Sequence, residues 1–96
     1  MREYELMVIL NASLEERDVK AAVERYMTSL TNAGGKLGNI DYWGKRRFSY
    51  EIGHMTEGWY TVVRFESTPE MADELSRVLG LADQVIRHKI VRPVAA

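Results

Sequence analysis

The apolar residues of this chain recur at two different periods, and the order of those periods limits the fold more than any other feature. Tyr4, Leu6, Val8 and Leu10 occupy every second position and alternate with Glu3, Glu5, Met7 and Ile9, the spacing of a strand with one face in a core. From Val19 the spacing changes to four and three, through Val23, Tyr26, Leu30 and Ala33. Ala22 and Met27 widen that stripe into the face of an amphipathic helix. A period of two returns at Ile40 and Tyr42, and again at Phe48, Tyr50 and Ile52. It continues over residues 59–66, where Trp59, Thr61, Val63 and Phe65 form one face and Tyr60, Val62, Arg64 and Glu66 the other. Met71, Leu75, Val78 and Leu79 make a second helical stripe. In residues 84–92, Ile86, His88 and Ile90 alternate with Arg87, Lys89 and Val91. The order is strand, helix, strand, strand, helix, strand. Two split βαβ units of this kind give an α+β, ferredoxin-like fold, a four-stranded antiparallel sheet with both helices on one face.

Local chemistry punctuates the same pattern. Ser13 followed by Glu16 reads as a capping box, with Glu15, Glu16 and Asp18 at the helix start where the dipole favours anions. Gly34-Gly35 ends the helix. Residues 36–52 are too many for one uninterrupted strand of ordinary length; Gly38 and Gly44 interrupt it, and Gly44 marks a bulge that re-aims the cations after it. Residues 53–58, bounded by glycines, read as a hairpin loop. Thr68 caps the second helix, Pro69 opens it and Gly80 stops it. Pro93 ends the last strand. Residues 1–93 therefore form one domain and residues 94–96 a short flexible end.

Ninety-six residues with 46% hydrophobic and 28% charged content are those of an ordinary globular domain. No cysteine is present, which removes disulfides, thiol nucleophiles and cysteine-based metal sites. No apolar run approaches the roughly 20 residues that span a bilayer, and no signal peptide is expected, so the reading is a cytoplasmic protein without a membrane partner. The histidines, His54 and His88, stand in no metal-ligand spacing; His54 reads as an exposed loop residue and His88 as a strand residue satisfied by backbone. No serine lies in a nucleophile elbow, the adjacent acids on the helices splay apart, and no phosphate-cradling glycine motif occurs. The pattern points away from an enzyme, a metal site or a cofactor.

Net charge is -1, so any polyanion binding must come from uneven distribution. That unevenness is present. In Trp43-Gly44-Lys45-Arg46-Arg47-Phe48-Ser49-Tyr50-Glu51-Ile52-Gly53, three consecutive cations run into an anchored strand, an arrangement suited to phosphate. Arg87, Lys89 and Arg92 form a second basic group. The sheet face away from the helices carries Met7, Ile9, Tyr60, Val62, Arg64, Arg87, Lys89 and Val91, a mixed apolar and basic surface that invites a partner. The strand–helix order is shared with the RNA-recognition motif, but Glu57 and Thr61 stand where that motif needs a basic residue and a stacking aromatic.

The opening Met1-Arg2-Glu3-Tyr4-Glu5 leading to Asn11, the stretch from Gly44 to Ile52, and Gly58-Trp59-Tyr60 together resemble the bacterial small-subunit ribosomal protein six family. Phe48 stands where leucine is more usual, which keeps the apolar role. The resemblance covers essentially the whole chain. It implies a ferredoxin-like structural component of the small ribosomal subunit. It also implies a heterodimer with ribosomal protein eighteen, the pair binding the central domain of small-subunit rRNA. On that reading Arg2, Lys45, Arg46, Arg47 and Arg64 are candidates for phosphate contact. Arg87, Lys89 and Arg92 would be shared between RNA and protein, and Met7, Ile9, Tyr60, Val62 and Val91 would meet the partner. A near-neutral protein that shares RNA binding with a basic partner should be a monomer alone. The alternative is a small regulatory or ligand-binding domain of the same fold that homodimerises through its open sheet. An acylphosphatase-like enzyme lacks the arginine–asparagine machinery and its phosphate loop.

Overall fold

The structure is a computed structural model that describes residues 1–52 and 54–93; Gly53 and the expected end at 94–96 lie outside the described residues. The elements follow the order expected from the two periods: β1 (Arg2–Asn11), α1 (Glu16–Asn32), β2 (Lys36–Ile52), β3 (Met55–Ser67), α2 (Pro69–Leu81) and β4 (Val85–Val91). The sheet runs β2-β3-β1-β4, and each neighbouring pair is antiparallel. β1 is therefore interior, hydrogen-bonded to β3 on one side and β4 on the other.

The alternation in β1 decides where the core lies. Tyr4, Leu6, Val8 and Leu10 are all buried, and across the register they meet Phe65, Val63, Thr61 and Trp59 of β3. α1 closes over this face with Val19, Ala22, Val23, Tyr26, Met27 and Leu30, and α2 with Ala72, Leu75 and Leu79. These side chains form one continuous cluster with Val63 and Phe65. Burying a Val, Leu or Phe side chain contributes about 1.5–3 kcal/mol, so this layer supplies most of the favourable free energy of the fold. Trp59 sits at its edge, where its Nε1–H donates to the carbonyl of Leu14 at 2.9 Å.

Several boundaries depart from the sequence reading. Ser13 does not cap α1. Its N–H donates instead to Asn11 Oδ1 at 2.9 Å, a local turn that moves the helix start downstream. Glu15 takes the cap position, and its N–H donates to Asp18 Oδ2 at 3.3 Å in a capping box of acidic residues. Ala33 is the exposed C-cap of α1 rather than part of its apolar face. Gly80 does not stop α2, which runs on to Leu81 because packing of Leu79 outweighs glycine's weak helix propensity. Thr68 and Pro69 do open α2 as expected, with the Thr68 hydroxyl accepting from the Met71 N–H at 3.2 Å.

β2 is one long strand over Lys36–Ile52, and its glycines bend it without ending it. The stretch expected as a loop is mostly strand, since β3 begins at Met55. In β4, Val85 packs on the core where Ile86 was expected, because the register slips between Ile9 and Leu10 of β1. His88 is satisfied by a side chain, Ser76 Oγ at 2.9 Å from Nε2, rather than by backbone.

Gly58 of β3 is tightly hemmed in by β1 and by the arching end of β2. A Cβ there would lie 2.7 Å from Ile9 Cγ2 and 3.0 Å from both the Leu10 carbonyl oxygen and Phe48 Cζ. Gly58→Ala should therefore destabilise the protein by about 1–3 kcal/mol through overpacking. In a thermal melt that is a fall in Tm of roughly 4–8 °C per kcal/mol.

Candidate functional site

Both helices cover the same side of the sheet, so the opposite side is bare. What that bare face carries is set by a bulge in β2. Tyr42 pairs with Thr61 and Gly44 with Tyr60, leaving Trp43 as an extra residue. Gly44 has φ +92°, a conformation glycine adopts without strain, and this allows the extra residue to be absorbed. The consequence is a change of side. Beyond the bulge, Lys45 pairs with Trp59 and falls on the helix side, where its Nζ lies 5.1 Å from the Trp59 ring centroid. Arg46 falls on the bare side, its guanidinium 5.3 Å from the Trp43 ring centroid. Arg47, opposite Glu57, returns to the helix-side register. The bulge expected at Gly44 does re-aim the cations by swapping the side each one takes, and the ordinary alternation of the strand separates them, so the three consecutive charges do not form one cluster on one face.

The other candidate cations divide in the same way. Arg64, Arg87 and Lys89 are exposed on the bare face, aligned with Glu5, Ile9 and Met7 of β1. Arg2 shares the register side of Tyr4, at the start of β1, and Arg92 lies just past the end of β4. Arg64 is partly neutralised in place, with Nη2 3.3 Å from Glu5 Oε2. Arg87 Nη1 donates to the Tyr50 hydroxyl at 3.5 Å. Since Tyr50 belongs to β2 and Arg87 to β4, at opposite edges of the sheet, the end of β2 must arch across the bare face.

That arch explains the burial of the apolar candidates. Phe48 packs against Tyr60, with ring centroids 6.1 Å apart, and its Cζ lies close to Gly58 beside Ile9. Ile9 is left only 6% exposed, so it supports the face from beneath. Met7, Tyr60 and Val62 are half-buried, and Val91 is 39% exposed. These four, with Trp43 and with Phe48 and Tyr50 of the arch, are the apolar and aromatic surface that this face presents. Trp43 is 42% exposed and stacks nearly parallel to Tyr60, with 6° between ring planes and 6.5 Å between centroids. Its indole N–H donates to Asp41 Oδ2 at 3.0 Å, which fixes the ring.

Trp43, Asp41 and Asn39 were missing from the sequence reading of this face. The signal was available: they alternate with Ile40 and Tyr42, which carry the period of two in this stretch. With Asp41 and Glu5 included, the face is not simply apolar and basic. It bears carboxylates on β1 and β2, interleaved with cations on β2, β3 and β4.

The groups with resolved pKa shifts lie away from this face. The Tyr42 phenol, on the helix side, is raised, first by burial and then by the negative charge of Glu24. On α2, the Arg77 guanidinium hydrogen-bonded to Glu74 lowers that carboxyl's pKa, and Arg77 is raised in return. Among the described residues no cluster of three or more His, Cys, Asp or Glu side chains could hold a metal ion. No helix of the described residues is long and apolar enough to cross a membrane. His54 is exposed, with Nδ1 3.4 Å from Glu51 Oε1.

Because Arg64 is well exposed, its bond to Glu5 is a modest one. A double-mutant cycle, Glu5→Gln against Arg64→Gln, should return a coupling of about 0.2–1 kcal/mol in thermal unfolding, smaller at high salt.

Three comparisons bear on this geometry. The family described as Ribosomal protein S6 matches residues 3–92 of the chain. The chain is 47% identical over 91 residues to the small ribosomal subunit protein bS6 of Clostridium beijerinckii, covering 95% of this chain and 96% of that protein. It is 45% identical to the protein of the same name from Beutenbergia cavernae, over 99% of each chain. Among solved structures, the 30S ribosomal protein S6 of Thermotoga maritima superimposes with a TM-score of 0.88 at 30% identity, over 96% of this chain and 87% of that one. The C-terminal domain of the MgtC protein from Mycobacterium tuberculosis shares the fold alone, with a TM-score of 0.62 at 14% identity. The bare, aromatic and charged sheet face thus stands on a ferredoxin-like frame that matches this family in sequence and in structure over nearly its whole length, and the chain belongs to the ribosomal protein S6 family of the small ribosomal subunit.

Proposed function

We propose that the chain binds the central domain of small-subunit rRNA as a heterodimer with ribosomal protein eighteen of that subunit, as a structural component of cytoplasmic ribosomes and not as an enzyme. The observation that carries this reading is the bare sheet face, where Met7, Tyr60, Val62 and Val91 lie among Arg46, Arg64, Arg87 and Lys89. A face with that much apolar surface favours burial against protein, and its cations favour a polyanion at the margin. Net charge of -1 gives the isolated chain little non-specific hold on RNA, so a basic partner supplies what it lacks.

The sides that the Gly44 bulge assigns to the cations refine the division of labour. Lys45 and Arg47, on the helix-side register with Arg2, are free of the surface the protein partner would cover, and they are the better candidates for phosphate. Arg46, Arg64, Arg87 and Lys89 share the bare face with the apolar contacts and sit where RNA and protein would meet. Arg92 extends the basic margin past β4.

The test is binding of an rRNA central-domain fragment in the presence of ribosomal protein eighteen, measured across a salt series. Replacing Lys45, Arg46 and Arg47 together with Ala should reduce the slope of log affinity against log salt by about 2–3. An unchanged slope counts against these cations as phosphate contacts. The same variant should also lose about 1–2 kcal/mol of stability, because Lys45 and Arg46 lie over the Trp59 and Trp43 rings. Sedimentation supplies a second measurement: the purified chain should run as a monomer and shift to a one-to-one complex when the partner is added. A homodimer would favour a regulatory domain that pairs through its own sheet.

A further inference from the structure

On the bare face, beside β2, lies an open groove of about 550 Å3 lined by Glu5, Asn39, Asp41, Trp43, Val62 and Arg64. We propose that this groove is a socket for an arginine side chain of the polypeptide that covers the face. The proposal rests on the partner reading above and adds the chemistry by which that partner is recognised.

Charge comes first. The groove holds two carboxylates and one cation, and the cation is already engaged, since Arg64 pairs with Glu5 at 3.3 Å. Asp41 keeps its charge uncompensated: it accepts the neutral Trp43 indole N–H at 3.0 Å, and among the described residues it forms no ion pair. With Glu5 and Arg64 offsetting each other, Asp41 is the charge left facing the groove, and it disfavours a phosphate. A cation would be drawn in.

Shape and aromaticity then narrow the class of cation. Trp43 is held in one orientation by Asp41 at its nitrogen and by the near-parallel Tyr60 ring. It is still 42% exposed. The chain's own Arg46 guanidinium lies 5.3 Å from the same ring centroid, so the ring suits a planar cation and an incoming guanidinium takes the place of Arg46 there. A fixed indole with a carboxylate at its edge suits a guanidinium, which stacks with its plane and donates in the plane at once. An ammonium can do only one of these well. Val62, on the groove floor, receives the aliphatic stem. Location supplies the last constraint. The groove is continuous with the Tyr60–Val62–Met7 surface, so whatever brings the arginine also covers those apolar side chains.

The experiment measures the affinity of purified ribosomal protein eighteen for wild-type chain, Asp41→Asn, Trp43→Ala and, as a control on an exposed acid away from the face, Asp83→Asn. Thermal melts establish that each variant is folded. Asp41→Asn should weaken the complex at least fivefold and Trp43→Ala comparably, with Asp83→Asn unchanged. Partner addition should also quench Trp43 emission, a change lost in Trp43→Phe. Tighter binding by Asp41→Asn is the result expected of a face that meets phosphate, and it would overturn the socket. An unchanged affinity in Asp41→Asn, with the wild-type complex intact, overturns the socket alone. Failure of the wild-type chain to bind ribosomal protein eighteen overturns the partner reading and the socket with it.

Discussion

The surface of this protein depends on an apolar seam it does not expose. Tyr4, Leu6, Val8 and Leu10 of the interior strand β1 bury one side of the sheet against α1 and α2, and every second residue of β1 is thereby forced to the other side. A slip of one residue would turn Met7 and Ile9 into the core and Leu6 and Val8 out to solvent, a cost of several kcal/mol. The seam therefore fixes the register of β1 against β3 and β4, and with it the positions of Glu5, Tyr60, Val62, Arg64, Arg87 and Lys89 on the bare face. Precision at the surface is inherited from packing beneath it.

β2 escapes part of this discipline because it is an edge strand, paired on one side only. It can absorb extra residues where an interior strand could not. The register shifts near Gly38, at Trp43–Gly44 and beyond Arg47 are all in its pairing with β3. Each changes which side chains face outward. The bulge at Gly44 places Trp43 and Arg46 on the bare face and sends Lys45 to the helix side. The shift beyond Arg47 lets Phe48 and Tyr50 arch over the sheet toward Ile9 and Arg87. An edge strand of this length would be open to unwanted pairing, and its bulges and charges also limit that hazard.

The electrostatic character of the face follows from the same geometry. Asp41 lies on β2 and Glu5 on β1 beside β4, while the cations are spread over Arg46 of β2, Arg64 of β3 and Arg87 and Lys89 of β4. A surface on which both signs are interleaved in this way is poorly matched to a continuous polyanion.

The periodicities alone determined the element order, the core residues of β1 and β3, most of those in α1 and α2 (Ala33 is exposed and buried Ala72 lies outside the expected stripe), and the bare second face. These depend on local backbone geometry and on the need to bury apolar side chains, both written residue by residue. The family motif around Gly44 was equally legible, as was the bulge it marks. What only the tertiary structure decided was the side on which each neighbour of that bulge falls. The start of α1 at Glu15, the strand character of residues near Met55 and the inward turn of Val85 were decided the same way. The reason is common to all of them. A turn at Asn11, an arching hairpin and a slipped register are settled by pairing between residues distant in sequence, and a bulge of one residue reverses every side chain after it without altering the local pattern that announces the strand.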